Sequence, residues 1–600
     1  MLPTSLLTVL ALSAAPEPAA PVLLADGGRS SYRVVVHRGA TAVERHAAEE
    51  LAGFLREVSG ATFPVEETAH VGTAPAHSIL VGPQAAAGII PPGDIGRLGS
   101  DGYVLRTRGP TLAIAGGRPR GTLYGVYSFL EDVLGCRWFT PGVARIPKRE
   151  RLELRPLDRT FVPRLEYRAT DYPDSRDAAW AARNKINGTQ TRLDERRGGK
   201  VAYGPFVHTF DDILNPKDQF AEHPEFFSEV NGKRLGVRTQ LCTTNPEVLR
   251  RATETVRRWM REQPDAIIFS VSQNDWSNFC TCPACAKVAA EEGSQIGPYL
   301  RFVNAIADSV RDEFPGRAID TLAYQFTRQP PRLTRPRPNV IVRLCDIECC
   351  FAHPLDSRQD VEPRNAAFAR DLRRWNEVCD RLYIWDYVIN YRHSLAPFPN
   401  LYVLKPNIAL FADNGVKGVY EEANYFSPGG EFAELRTWVV AKTLWDPGYD
   451  TDRAIDEFLD GYYEEAAGPI RRYIDLLHGK ARMDGVHFRI SEGPGSALFA
   501  EDILTRATAL FEDAERRVAN RPEVLRRVET AHLPILYLRV VRLAERVRKG
   551  EAGGDLQQLA TLFPRLDRVA RAAGVTHVSE QRAYGPWAEE LKKLLDAARR

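Results

Sequence analysis

The sequence predicts an α/β protein: a (β/α)8 barrel of the TIM type, preceded by a small α/β domain and followed by a helical C-terminal region. Three observations predict it. The 600 residues exceed the roughly 250–300 that one hydrophobic core serves, strand-like runs alternate with helix-length amphipathic segments, and eight such runs fall between residues 160 and 450. The chain is therefore expected to fold as several domains around one barrel.

Composition restricts the partners of the protein. Hydrophobic residues make up 44% of the chain and charged residues 26%, as in an ordinary globular protein. Lys plus Arg number 80 and Asp plus Glu number 78, so no strong net field favours nucleic acid or an acidic membrane. We expect no nucleic-acid partner and no membrane partner, and the sequence leaves the oligomeric state open.

Residues 1–20 are predicted to be a signal peptide. Residues 2–15 form an apolar run followed by small residues, with Ser13 and Ala15 placed for cleavage. The run lacks a basic start, so an irregular N-terminus is the alternative. No later stretch reaches about 18 apolar residues. A secreted or periplasmic protein is therefore expected.

Residues 22–155 are predicted to form the small α/β domain. A β-branched strand, YRVVV, precedes an amphipathic helix from Thr41 to Val58, and Gly60 is its predicted C-cap. The Gly-rich segment 116–121 lacks the G-x-G-x-x-G register. It is interpreted as a turn rather than as a nucleotide-binding loop.

Residues 160–450 are predicted to form the catalytic barrel, and residues 451–600 the helical region. The candidate strands are residues 164–170, 185–191, 237–243, 266–272, 318–326, 340–347, 381–387 and 415–422. In such a barrel the active site lies at the carboxyl ends of the strands. The residues that follow each run are therefore the candidate site.

Carboxylates end four of these runs, and aromatic residues accompany them. The fourth run ends in SQNDW, the sixth in DIE, the seventh in WDY and the eighth in EE. Aromatic faces stack on sugar rings, while paired acids protonate a leaving group and stabilise an oxocarbenium-like state. The pattern predicts a glycoside hydrolase, although each acid alone could instead cap a helix or pair with an arginine.

Asp275 is the strongest single candidate because Asn274 and Trp276 flank it at the exit of an apolar run. Of the adjacent acids Glu421 and Glu422, only one can face the barrel mouth, since side chains alternate along a strand.

Further candidates come from other strand ends. Asp386 could take part in the chemistry, orient a hydroxyl or hold a loop, and His208 suits a sugar-binding role and a structural role equally. The predicted substrate-binding set is His208, Asn274, Trp276, Trp385, Asp386 and Tyr387.

The chain contains nine cysteines, and Cys280, Cys282 and Cys285 form a C-x-C-x2-C motif. The motif supplies three soft ligands, one short of a tetrahedral zinc site. Cys242, or the cysteine pair at 349–350, could complete a structural zinc site or close a disulfide. A catalytic thiol is disfavoured because no Cys/His pairing is apparent. The predicted catalysis requires no cofactor.

Several motifs resemble known proteins. They are HPEFFSEVNGKR, SVSQNDWSNFCTCPAC, IWDYVINY with PFPN following, and GVKGVYEEANYFSPGGEFAELRTWVVAKTLWDP. Through them, residues 160–445 resemble a bacterial barrel family catalogued as a domain of unknown function, which includes endo-β-N-acetylglucosaminidases acting on complex N-glycans. Upstream, RPRGTLYGVYSFLEDVLGCRWFTPG resembles the accessory domain that precedes the barrel in bacterial β-hexosaminidases and α-glucuronidases.

The resemblance implies hydrolysis of a β-linked, N-acetylglucosamine-containing glycan, free or on a glycoprotein. Hexosaminidases that use the substrate acetamido group as nucleophile usually present an Asp-Glu pair at the end of the fourth strand, where this chain has Asn274–Asp275. The acid must then come from another strand, and Glu421 matches the family's strand-eight carboxylate. We expect Glu421 to be the general acid/base and Asp275 its partner, either orienting the acetamido group or acting on the anomeric carbon.

Three alternatives compete with this prediction. A non-catalytic glycan-binding protein could keep the barrel and its aromatic residues without the chemistry. An α-glucuronidase-like enzyme would hydrolyse a uronate. A metal-dependent hydrolase would need zinc at the cysteine motif with an open coordination position.

Overall fold

The computed structural model describes residues 21–72, 75–550 and 554–599. The predicted signal peptide lies outside these described residues. The described chain divides into two compact units. The first contains the residues up to Cys136 together with Ile146–Val162, and the second contains Arg137–Arg145 and the chain from Pro163 onward.

Strands and helices alternate through most of the described chain. The strands are β1 (Val22–Asp26), β2 (Arg33–His37), β3 (Val65–Thr68), β4 (Ser78–Val81), β5 (Tyr103–Arg108), β6 (Thr111–Gly116), β7 (Arg137–Thr140), β8 (Val143–Arg145), β9 (Arg151–Leu154), β10 (Asp158–Phe161), β11 (Tyr167–Thr170), β12 (Glu229–Val230), β13 (Lys233–Arg234), β14 (Ile268–Ser270), β15 (Ala318–Ala323), β16 (Val340–Cys345), β17 (Leu382–Tyr387), β18 (Gly418–Glu422), β19 (His577–Ser579) and β20 (Arg582–Ala583).

The helices are α1 (Ala42–Ser59), α2 (Pro83–Ala86), α3 (Pro92–Ile95), α4 (Gly121–Ser128), α5 (Ala178–Arg183), α6 (Phe210–Ile213), α7 (Pro216–Gln219), α8 (Pro246–Glu262), α9 (Pro283–Glu292), α10 (Ile296–Val310), α11 (Pro363–Asn376), α12 (Leu401–Asp413), α13 (Ala433–Trp445), α14 (Thr451–Tyr462), α15 (Ala467–Met483), α16 (Glu501–Arg517), α17 (Pro522–Arg548), α18 (Asp555–Ala572) and α19 (Tyr584–Arg599). No described helix is both long and apolar enough to cross a membrane.

The first unit is a mixed α/β fold. Its main sheet has the order β10-β5-β6-β4-β2-β3, in which β5 pairs antiparallel with β10 and β6 and the other pairings are parallel. Helix α1 begins with a capping box between Thr41 and Glu44, and it ends at Gly60 in left-handed backbone (φ 73°). Leu51 and Leu55 lie on its buried face. The helix predicted from the sequence is confirmed.

The second unit is built around a parallel sheet of six strands in the order β11-β18-β17-β16-β15-β14. The strands β15, β16 and β17 are buried along their whole length, as parallel strands covered on both faces are. Helices α8 to α13 precede, separate or follow the strands from β14 to β18. The result is a half-barrel of parallel strands with helices between them.

Six of the eight predicted barrel strands form, so the predicted eight-stranded ring is not confirmed in the described chain. Residues 185–191 make no strand, because their contact with β11 is irregular: the Asn187 and Gly188 N–H groups both donate to the single Arg168 carbonyl at 3.1 Å, and the Asn187 side chain makes the remaining bonds. Asn187 Oδ1 accepts from the Arg168 N–H at 2.9 Å, and Asn187 Nδ2 donates to the Glu166 carbonyl at 2.9 Å.

Residues 237–243 were the other incorrect strand prediction. They make one isolated antiparallel bridge, between Leu241 and Phe227, rather than a parallel pairing. The chain around Gly204 lies beside β14 instead, where the Gly204 N–H donates to the Ile268 carbonyl at 2.9 Å. Residues 237–243 therefore belong to a loop, although their sequence alternates as a strand would.

The inner face of the parallel sheet holds aromatic rings around one buried ion pair. Arg343 Nη2 lies 2.5 Å from Asp320 Oδ1, and both side chains are excluded from solvent. The guanidinium carbon lies 4.5 Å from the ring centroid of Phe206 and 5.0 Å from that of Trp385. Paired charge and stacked rings thus fix the orientation of Trp385 at the carboxyl edge of the sheet.

Beyond α13 the chain is helical from α14 to α19, except for the hairpin β19–β20. This hairpin returns to the strand ends of the parallel sheet. The Glu580 N–H, at its tip, donates to the Tyr391 carbonyl, and the Ser394 N–H donates to the Val578 carbonyl. The C-terminal region therefore contributes chain directly to the edge at which the site lies.

Candidate active site

A cavity of about 370 Å³ opens at the carboxyl edge of the parallel sheet. Its size suits a small ligand, for which cavities of about 300–1,000 Å³ are typical. Most of the lining residues lie in or after strands of the parallel sheet, and Glu580 belongs to the C-terminal hairpin. They are Val207, His208, Asp275, Leu322, Tyr324, Cys345, Ile347, Trp385, Tyr387, Tyr391, Glu422, Tyr425 and Glu580.

The structure brings together half of the predicted site residues. Those that line the cavity are His208, Asp275, Trp385 and Tyr387. Those that do not line it are Asn274, Trp276, Asp386 and Glu421. Asn274 is buried and bonds to protein groups, whereas Trp276 is 42% exposed and stacks with the Arg238 guanidinium.

The acid of β18 that lines the cavity is Glu422, whereas the predicted acid, Glu421, does not line it. Tyr387 pairs with Glu422 across β17 and β18, and Asp386 pairs with Glu421. Since side chains alternate between the two faces, the first pair lies on the cavity face and the second pair on the opposite face. Alternation shows that the two glutamates differ, but not which of them points inward.

Glu421, Asp386 and Asp346 form a buried carboxyl cluster on that opposite face. Burial and the neighbouring Asp386 charge raise the pKa values of Asp346 and Glu421 well above the ordinary range. Burial raises the pKa of Asp386 to about 6, and the hydrogen bond that Asp386 Oδ1 accepts from the Tyr387 N–H at 2.6 Å limits this rise. Asp346, Asp386 and Glu421 are absent from the cavity lining, so this cluster lies outside the cavity.

Glu422 is 9% exposed and is held by an aromatic donor. Trp385 Nε1 donates to Glu422 Oε2 at 2.7 Å, and both this bond and the nearby Tyr391 hydroxyl act to lower the pKa of the carboxyl. Burial, followed by the nearby carboxyl of Asp171, raises the pKa of Glu422 to about 8. At neutral pH Glu422 is therefore mostly protonated.

Asp275 is a solvent-exposed acid of the cavity. Its Oδ1 accepts a hydrogen bond from the Tyr324 hydroxyl at 2.9 Å. Tyr324 follows β15, so an aromatic residue at a strand end was the available sequence signal for it. Exposed Asp275 and buried Glu422 thus have opposite environments, as the two carboxyls of an acid-catalysed hydrolysis require.

His208 presents one ring nitrogen to the cavity. Its Nδ1 lies 2.7 Å from the Gln273 carbonyl, which assigns the proton to Nδ1 and leaves Nε2 as an acceptor. The backbone of His208 has φ 54°, a left-handed conformation that costs about 1–3 kcal/mol for a residue with a side chain. A hydrogen bond from its N–H to Ser272 Oγ at 2.9 Å holds it there.

Glu580 enters the cavity from the hairpin β19–β20, and the Tyr425 hydroxyl donates to its Oε1 at 3.0 Å. The tail carries no motif, so only its tertiary packing identifies Glu580. Tyr391 lies in the motif IWDYVINY and Tyr425 in the motif that begins GVKGVYEE, so both belong to segments with a sequence signal.

The predicted cysteine motif gathers with one upstream cysteine. The Sγ atoms of Cys242, Cys280, Cys282 and Cys285 all lie within 4.8 Å of one another, all four residues are buried, and none is in a disulfide. The pair at 349–350 lies elsewhere, with Cys350 Sγ 3.3 Å from His353 Nδ1.

A parallel half-barrel with acids and aromatic rings at its carboxyl edge defines a glycoside-hydrolase-like fold, and comparisons with solved structures agree. The chain is similar to a family GH115 4-O-methyl-α-glucuronidase with specificity for decorated arabinogalactans, at 12% identity and a TM-score of 0.55 over 96% of this chain and 80% of that one. It is also similar to a GH138 enzyme targeting pectin rhamnogalacturonan II, at 11% identity and a TM-score of 0.52 over 94% and 79% of the two chains. At these identities the shared feature is the fold.

Residues 138–475, more than half of the chain, match the family model DUF4838, described as a domain of unknown function, and the chain belongs to this family. Residues 25–129 match the model of the glycosyl hydrolase family 67 N-terminus. No curated protein sequence matches the chain.

Proposed function

We propose that the protein is a glycoside hydrolase whose general acid is Glu422 and whose second carboxylate is Asp275. The observation that carries the proposal is the position of Glu422, buried and hydrogen bonded to Trp385 Nε1 in an aromatic-lined cavity. An acid with a pKa of about 8 keeps its proton at neutral pH and can donate it to the oxygen of a leaving sugar. Glu421 is replaced in this role because its carboxyl lies outside the cavity.

The other lining residues fit supporting roles. Asp275, exposed and oriented by Tyr324, would act on the anomeric carbon or orient an acetamido nucleophile. The rings of Trp385 and Tyr387 offer apolar faces to a sugar. His208 Nε2 is available to accept a hydrogen bond from a sugar hydroxyl.

The substrate that we propose is a neutral, β-linked glycan containing N-acetylglucosamine, free or on a glycoprotein, outside the cytoplasm. The family resemblance supports the sugar, and the apolar run at residues 2–15 supports the location. The cavity lining supports its neutrality. Asp275 and Glu580 face the cavity beside the protonated Glu422, and the described lining residues include no lysine or arginine. A uronate carboxylate would therefore meet like charges without a cation to pair with.

The test is a product screen on N-glycoproteins, chitooligosaccharides and uronate-containing glycans, with Glu422→Gln, Asp275→Asn and the matched control Glu421→Gln. We expect cleavage of an N-acetylglucosamine-containing glycan, a loss of about 100-fold or more in kcat for Glu422→Gln, and near-parental kcat for the control. The control replaces a protonated carboxyl by a neutral amide outside the cavity, so it should preserve packing.

Two results would reject the proposal. Wild-type kcat in both cavity variants would remove Glu422 and Asp275 from the chemistry. Glycan binding by calorimetry without any cleavage would favour the non-catalytic binding protein instead.

A further inference from the structure

We infer that Cys242, Cys280, Cys282 and Cys285 bind one structural Zn²⁺ in a closed tetrahedral site. Cys242 belongs to the loop at residues 237–245, and the other three belong to the segment that follows β14 and begins α9. Cys242 lies 38 residues before the motif in sequence, so only folding completes the set. The inference does not depend on the proposed function.

The distances between the sulfur atoms are those of a metal-thiolate site. Cys242 Sγ lies 3.7 Å from Cys282 Sγ and 3.9 Å from Cys285 Sγ. A tetrahedron with Zn–S bonds of about 2.3 Å has sulfur atoms about 3.8 Å apart. A disulfide has an S–S distance of about 2.05 Å. The observed separations match the edges of the tetrahedron and are far longer than a disulfide bond.

Hydrogen-bond donors surround these sulfur atoms. The Glu229 N–H donates to Cys280 Sγ at 3.4 Å, and Arg234 Nη1 lies 3.7 Å from the same sulfur. The Thr244 hydroxyl lies 3.2 Å from Cys285 Sγ. Donors of this kind stabilise thiolates, and the arginine offsets part of the net −2 charge that four thiolates around Zn²⁺ carry.

The ligand set decides the type of site. Four thiolates select Zn²⁺ or an iron centre, and Zn²⁺ closes such a set tetrahedrally without redox chemistry. With four protein ligands there is no open position for water or substrate. The site is therefore structural, which argues against the metal-dependent hydrolase considered from the sequence.

The site connects the two segments that hold Asp275. Cys280 follows Asp275 by five residues in the same segment. On the other segment, Gln240 precedes Cys242, and its Nε2 donates to the carbonyls of Asn274 at 2.8 Å and Trp276 at 2.5 Å. The metal would thus anchor both sides of the loop that carries Asp275, and Gln240 is a positioning residue in that arrangement.

Elemental analysis of the purified full chain tests the inference, with Cys282→Ser and the control Cys379→Ser. Cys379 is buried and lies outside the cluster. We expect one zinc per chain in the parent and in the control, and loss of zinc in Cys282→Ser. Because Cys282→Ser could fail to fold, the parent itself is also treated with a strong chelator, which should lower its Tm, and zinc should restore it.

Replacement by Co²⁺ supplies a second readout, since a tetrahedral cobalt–thiolate centre absorbs strongly in the visible range. Iron at one atom per chain would overturn the assignment of zinc. A metal content well below one per chain, together with a mass that shows disulfides or four freely alkylated thiols in the native parent, would overturn the site itself.

Discussion

Trp385 Nε1 donates a 2.7 Å hydrogen bond to Glu422 Oε2, which joins an aromatic wall of the cavity to its buried acid. The Trp385 ring in turn packs on the Arg343 guanidinium, which the buried Asp320 neutralises. The orientation of Glu422 therefore depends on residues that never reach the cavity. This chain of contacts explains why a carboxyl with a pKa of about 8 can be held in one position.

Trp385→Phe should lower kcat by about two- to tenfold, because it removes one hydrogen bond worth about 0.5–1.5 kcal/mol and keeps an aromatic face. Since that bond lowers the pKa of Glu422, its loss should also move the alkaline limb of the kcat profile to higher pH. Steady-state kinetics between pH 5 and pH 10 measure both effects. Trp276→Phe is the control, because Trp276 lies outside the cavity and should leave the profile unchanged. An unaltered profile in Trp385→Phe would contradict the assignment.

The pH dependence of activity should follow the proton of Glu422. A general acid with a pKa of about 8 is competent below that value, so kcat should fall about tenfold per pH unit above about pH 8. The residual activity of Glu422→Gln should lack this alkaline limb, because the amide cannot titrate. Retention of the same limb in the variant would assign it to another group.

Glu422→Gln should also stabilise the fold at neutral and alkaline pH. The folded pKa of about 8 lies above the ordinary 4.5, so the contribution of Glu422 to stability is fully present below about pH 4.5 and is lost as pH rises through about 8. At 1.36 kcal/mol per pKa unit, the loss can reach about 5 kcal/mol. Urea unfolding of both proteins at pH 4.5 and pH 8.5 should show an advantage for the variant that grows with pH. An advantage independent of pH would be evidence against titration of Glu422.

Glu580→Gln should act on substrate binding more than on chemistry. Glu580 contacts the Tyr425 hydroxyl and belongs to the hairpin that reaches the cavity edge. Weakening this hydrogen bond should raise KM by about three- to tenfold and leave kcat within about threefold. Glu589→Gln, an exposed position of α19, is the matched control. A large fall in kcat with an unchanged KM would instead place Glu580 among the catalytic groups.

Local patterns determined much of the fold. Helix α1 forms where its capping residues and apolar spacing predict, and six strands form where apolar runs occur. Two of the predicted strands do not form, and the periodicity of the sequence could not show why. Asn187 uses its side-chain amide to bond to neighbouring backbone, and residues 237–243 pack beside the cysteine cluster.

The sequence by itself determined the type of site: acids and aromatic rings at strand ends, and a cysteine motif beside them. The tertiary structure alone decided which of these acids, aromatic residues and cysteines lie close together. It selected Glu422 over Glu421 because strand alternation has a period of two and its phase depends on how the sheet packs. It also brought Glu580 and Cys242 to their partners, since contacts between residues distant in sequence come from packing and leave no local pattern.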